Sequence, residues 1–242
     1  QAYECGDAYE GFYDGSVIIS GVLYYNRYKA GYPTQEVVAV DLHTGEELWI
    51  KVLGNNERLA FGQNFYWDSY NYHAVFAYLW ITIAGGSFFG PPMPETWHAF
   101  DPLTGEWEYS MTNVPRGTNV YGPNGEIYRY TVNLQNGWMT QWNSTKVAMF
   151  GRVSPDTGSW GNTVRGRTID ATAGIDWNKT IPADLSGSVQ VAEFGDRIVG
   201  GSVSTTEVQS WAISLEPENE GTELFRKTWN APAEWAASNQ TV

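Results

Sequence analysis

Short runs of apolar or alternating residues, each closed by Gly, Pro, Asn or Asp, carry most of the order in this chain. Ser16 to Tyr25 (SVIISGVLYY), Glu36 to Leu42 (EVVAVDL), Glu46 to Leu53 (EELWIKVL) and Ala77 to Ala84 (AYLWITIA) have the length and two-residue period of strands. Convincing amphipathic helices are absent from the pattern. APAEWAAS near the C-terminus comes nearest and is too short to be stable without packing. No apolar run approaches the ~18 residues of a membrane-spanning helix, so membrane insertion is not expected. The pattern predicts an almost wholly β chain of antiparallel strands.

One strand–turn–strand unit recurs. AVDLHTGEELW, Ala39 to Trp49, is matched by AFDPLTGEWEY, Ala99 to Tyr109, which aligns Asp41, Thr44, Gly45 and Trp49 with Asp101, Thr104, Gly105 and Tyr109. A weaker copy, TVNLQNGWMTQ, holds Asn133 and Gly137 at the Asp and Gly positions. A fourth, AISLEPENEGTELF, runs from Ser214 through an insertion to Gly221 and Phe225. The spacing has a physical reading: the Asp side chain accepts backbone hydrogen bonds across a tight turn, and the Gly supplies a positive φ. The aromatic ring four residues after the Gly is placed to cover a neighbouring sheet. Units of this kind cannot bury their faces singly and must stack.

A-x-D-x-x-T-G-x-x-x-W resembles the repeat of the pyrroloquinoline-quinone-type (PQQ-like) β-propellers, over four units between about Ser16 and Trp229. The resemblance implies four-stranded antiparallel blades, with the repeat Trp docking between adjacent blades. It also implies a ring of seven or eight blades, of which this chain would supply about four. The expected organisation is a single domain over residues 1–242, with insertions near 54–77 and 151–187. Too little chain flanks the outermost repeats for another blade, and an open half-ring exposes apolar faces. A larger propeller, completed by another chain or by further sequence, is therefore expected. In the quinoprotein dehydrogenases of this family, the cofactor stacks between a Trp and a disulfide of adjacent cysteines, beside a calcium ion. Here Cys5 is the sole cysteine, no matched calcium set is found, and no cofactor is expected.

Composition narrows the function classes. Asp and Glu number 27 against 14 Lys and Arg, a formal charge of -13, the opposite of a nucleic-acid surface. His43 lies in a repeat turn, His98 precedes a repeat strand and His73 sits among aromatics, without metal-ligand spacing between them. The acidic run Leu215 to Glu223 reads as a solvated loop before it reads as a cation site. No G-x-S-x-G elbow is present, and no catalytic residue is assigned.

Phe65, Tyr66, Trp67 and Tyr70 belong to an aromatic stretch read first as internal packing, second as a protein interface and third as a sugar-stacking surface. Three N-x-S/T sequons begin at Asn143, Asn178 and Asn239, in polar contexts expected to be exposed and outside the repeat strands. With the low Lys content, they suggest a secreted or cell-surface glycoprotein, similar to archaeal surface proteins with PQQ-like propellers. The resulting expectation is a non-catalytic extracellular component of a multi-chain assembly. Part of a PQQ-dependent dehydrogenase and a glycan-binding propeller are the alternatives.

Overall fold

A computed structural model describes residues 16–28, 34–69, 72–85, 93–150 and 164–232. Among them are seventeen strands, one seven-residue α-helix and one 3-10 turn. The chain is all-β, as the period of its apolar residues predicts.

The strands form four sheets in chain order. Sheet A runs β1 (Val17–Ile19), β2 (Val22–Tyr28), β3 (Gln35–Asp41), β4 (Glu47–Lys51). Sheet B follows with β5 (Phe61–Ser69), β6 (Tyr72–Gly85), β7 (Met93–Phe100) and β8 (Trp107–Val114). Sheet C begins with β9 (Thr118–Tyr121), β10 (Ile127–Asn133) and β11 (Trp138–Asn143). The helix α1 (Ser144–Phe150) comes next, and then β12 (Thr168–Asp170), which adds to sheet B parallel to β8. After the 3-10 turn Ala171–Gly174, β13 (Ile175–Thr180) closes sheet C against β11. Sheet D is β14 (Ser188–Glu193), β15 (Arg197–Val203), β16 (Glu207–Ser214) and β17 (Glu223–Asn230). Apart from β12, all neighbouring strands are antiparallel.

The four sheets share one irregularity. Between third and fourth strands the pairing slips by one residue: between Ala39 and Val40, between Ala99 and Phe100, between Gln141 and Trp142, and between Ala212 and Ile213. A bulge at a fixed place turns the outer strand the same way each time. It sets Trp49, Tyr109, Trp177 and Phe225 opposite Ala39, Ala99, Gln141 and Ala212.

Two sequence expectations are corrected by this topology. The hairpin of Asn133 and Gly137 joins the second and third strands of sheet C, not the third and fourth, so it is not an equivalent of the other three. An Asx turn with a positive-φ Gly serves any hairpin, and Asn133 Oδ1 duly accepts the Asn136 N–H at 2.9 Å. At the equivalent place in sheet C the chain runs instead through residues 144–174. The stretch expected as an insertion near 54–77 is largely β5 and the start of β6. Of the second expected insertion, residues 151–163 lie outside the described residues, while 164–187 provide β12 and β13.

The chain divides into two compact units. The first contains sheets A and B with residues 123–126 and 145–173; Tyr24, Val37, Ala39, Leu53, Leu59, Leu79, Ile81 and Phe100 belong to one buried cluster in it. Sheets C and D make the second, centred on Tyr130, Met139, Ile198, Trp211, Ile213 and Leu215. Each large side chain buried this way contributes roughly 1.5–3 kcal/mol.

Candidate interaction surface

Asp41 opens the turn from β3 to β4. Its Oδ1 accepts the His43 N–H at 2.7 Å and the Thr44 N–H at 3.0 Å, and Glu46 N–H donates to Thr44 Oγ1 at 3.2 Å. Sheet B repeats the pattern: Asp101 Oδ1 accepts Leu103 N–H at 2.7 Å and Thr104 N–H at 3.2 Å, and Glu106 N–H donates to Thr104 Oγ1 at 3.3 Å. In sheet D the Ser214 hydroxyl substitutes for the carboxylate, accepting Glu216 N–H at 3.1 Å. In all three, the Gly N–H returns to the carbonyl of the first residue, with φ of 75°, 66° and 92° at Gly45, Gly105 and Gly221. Those donors, Thr44 N–H foremost, hold the Asp41 carboxyl below its ordinary value.

What each turn rests on differs. A Cβ on Gly105 would stand 3.3 Å from the Trp49 ring; one on Gly221 would stand 2.6 Å from the Thr180 carbonyl oxygen; one on Gly45 would meet nothing within 4 Å among the described residues. The turns of sheets B and D are thus seated on the outer strands β4 and β13, while the turn of sheet A stands open. Alanine at any of the three costs roughly 1–2 kcal/mol for left-handed backbone. Gly221→Ala should cost most and Gly45→Ala least in urea titrations, because only the seated turns add a clash.

In the A–B joint, Trp49 Nε1–H donates to the Pro102 carbonyl at 3.0 Å and its ring lies 5.8 Å from that of Tyr24. Burial, with Asp101 nearby, pushes the Tyr24 hydroxyl up to about 12. Two residues on, Lys51 pairs with Glu106 and draws the Glu106 carboxyl below its ordinary value. The half-buried Trp49 shares its register with the fully buried Tyr109, whose ring packs edge-on against Tyr78 and Trp80 at 5.3 and 5.6 Å. Trp49→Ala should cost about 2–3 kcal/mol in chemical denaturation, less than the ~3–5 of a fully buried ring; Trp49→Phe should cost about 1 for the lost hydrogen bond.

No protein-family model and no curated protein matches this sequence.

The joint recurs in sheets C and D with residues that repeat matching missed. Trp177 stands opposite Gln141 as Trp49 stands opposite Ala39, and its ring lies 6.1 Å from Tyr130, the counterpart of Tyr24. Two residues on, Lys179 Nζ lies 3.2 Å from Glu220 of the seated turn. The Glu220 carboxyl is lowered first by its own backbone N–H and then by Lys179. Trp-x-Lys was the available signal, hidden because the Asp-x-x-Thr-Gly turn before it is replaced by residues 144–174.

The remaining candidates disperse. Phe65 is buried and stacks on Phe76 at 5.1 Å, Tyr66 faces outward at 43% exposure, Trp67 is half-buried and Tyr70 lies outside the described residues. Alternate strand positions divide the stretch between two faces, so it does not form one aromatic patch. Asn178 is exposed within β13. Asn143 ends β11 half-buried, followed by buried Ser144 and Thr145, and Ser144 Oγ accepts Ile127 N–H at 3.0 Å. The expectation that both asparagines lie outside strands is therefore corrected, as is the exposure of Asn143. Asn239 and Cys5 lie outside the described residues, as does the side chain of His73.

Chemistry at the cleft of about 680 Å³ beside β4, lined by Lys51, Glu57, His98, Glu106, Trp107 and Ser110, is limited by burial. His98 Nδ1 and Ser110 Oγ are 2.6 Å apart, and Trp107 Nε1–H donates to the same hydroxyl at 3.0 Å. At 3% exposure Ser110 is closed to substrate. Burial pushes the His98 pKa below its ordinary value of 6.5, against a smaller opposing effect of Glu57. The unfolded chain therefore takes up this proton first, and the stability held above that value is lost as pH falls through the folded pKa. His98→Gln should flatten the melting-temperature profile there. In the acidic run, Glu220 pairs with Lys179 and Glu223 with Arg226, and no three His, Cys, Asp or Glu converge on a cation site among the described residues.

Proposed function

We propose that this chain is a non-catalytic assembly component built on blades of a PQQ-like β-propeller, acting outside the cell through protein–protein contacts of its outer strands and turns. One observation carries the reading. Twice, an outer strand with Trp-x-Lys receives the turn that follows the next sheet's third strand, through Trp49 and Lys51 in one unit and Lys179 and Thr180 in the other. Such a joint is modular, needs no ligand and can be extended by any further blade of the same kind. Exposed apolar side chains on outer strands, Leu48 and Ile50 on β4 and Leu224 and Trp229 on β17, supply surface for such contacts. The exposed Asn178 sequon fits an extracellular setting.

Sedimentation velocity across a concentration series tests the reading. A sedimentation coefficient that rises with concentration is the expected result. A chain that stays monomeric throughout, with no binding partner recovered by crosslinking on its native surface, overturns it.

A further inference from the structure

Three outer strands carry an aromatic residue and, two positions later, a lysine, in one register set by the shared bulge: Trp49 and Lys51, Trp177 and Lys179, Phe225 and Lys227. The first two lysines are paired with glutamates that flank the Gly of a seated turn, Glu106 and Glu220. Lys227 is exposed and, among the described residues, its ammonium has no partner. On the same face of β17, Trp229 is 50% exposed, a large ring half open to solvent.

The turns show the complementary surplus. Those of sheets B and D are seated, whereas Leu42 to Glu46 of sheet A are all exposed and, among the described residues, nothing covers Gly45. Glu46 follows its Gly as Glu106 follows Gly105, and among the described residues its carboxylate has no partner. One socket and one plug are left over, and their chemistry matches the occupied joints.

We propose that a second copy of this chain docks head to tail, seating its Leu42–Glu46 turn on the Phe225–Lys227–Trp229 face of β17 and pairing its Glu46 with Lys227. This rests on the assembly reading above and names the partner it requires. Plug and socket are different surfaces, so the contact is heterologous and propagates into a ring or a filament. Phe225 lacks the N–H with which Trp49 reaches Pro102, so the contact rests on ring packing and the ion pair and is weaker than the joints inside the chain.

Charge reversal tests this on the whole chain. Glu46→Lys and Lys227→Glu alter exposed side chains and leave folding intact by circular dichroism. Wild-type protein should self-associate in sedimentation velocity. Either variant alone should associate about tenfold or more weakly, since like charges then meet at every joint. An equimolar mixture of the two should recover wild-type association, because opposite charges face each other again. Variants that associate like wild type, or a mixture no tighter than its components, overturn this contact while leaving the assembly reading in place. A wild-type chain that remains monomeric overturns this contact, and it overturns the assembly reading as well when crosslinking on the native surface recovers no partner.

Discussion

Replacing Asn26 with leucine should cost the first compact unit about 2–5 kcal/mol, although leucine has similar bulk and is more apolar. Asn26 is 1% exposed on β2. Its Nδ2–H donates to the Leu59 carbonyl at 2.9 Å, and its Oδ1 accepts the Leu59 N–H at 2.8 Å. The side-chain amide thus stands in for a strand neighbour and fixes the chain as it enters β5, next to a residue that is itself buried. Leucine would fill the space but orphan both backbone groups of Leu59, at ~1–3 kcal/mol each. Urea denaturation should show the loss in the midpoint, and hydrogen exchange should show the Leu59 amide losing protection before its strand neighbours. A midpoint shift equivalent to less than ~1 kcal/mol would mean that water replaces the amide without strain.

Features legible in the sequence are those decided within a few residues. Asp41 and Gly45, like Asp101 and Gly105, set their turns through contacts closed inside six positions, so the motif predicts hydrogen bonds that the structure contains. The same locality explains the misplaced third copy, because Asn133 and Gly137 perform that chemistry in a different hairpin. What the turns dock against was not legible. Trp49 meets Pro102 across 53 positions and Lys51 meets Glu106 across 55, and no local pattern specifies such partners. β5 and the start of β6 escaped for another reason: aromatic residues occupy both faces, so Phe65 inside and Tyr66 outside erase the alternation that marks a strand. Asn26 and Ser110 read as ordinary polar residues until burial gives each a fixed partner.

Trp211→Ala should destabilise the second unit by about 3–5 kcal/mol, the range for fully buried aromatic truncations, with up to ~1–3 more for an orphaned carbonyl. The ring is 0% exposed on β16, and its Nε1–H donates to the Ser186 carbonyl at 2.8 Å. Gln209, two positions earlier, accepts the Ser186 N–H at 3.0 Å and the hydroxyl at 2.7 Å. Side chains of one strand thus hold both backbone polar groups of Ser186. Trp211→Phe separates the two contributions, keeping most of the packing and losing the hydrogen bond, and should fall between wild type and alanine. Gly200 on β15 forms the seat of the ring, where a Cβ would stand 2.2 Å from it and 2.7 Å from the Ser188 carbonyl oxygen. Gly200→Ala should therefore cost ~1–3 kcal/mol by overpacking. In the Trp211→Ala background the ring is gone and only the Ser188 contact resists, so the cost of Gly200→Ala should shrink. A double-mutant cycle by urea denaturation reads that coupling. Additive single effects would show that the ring does not rest on the glycine and that the strain of Gly200→Ala comes from the backbone alone.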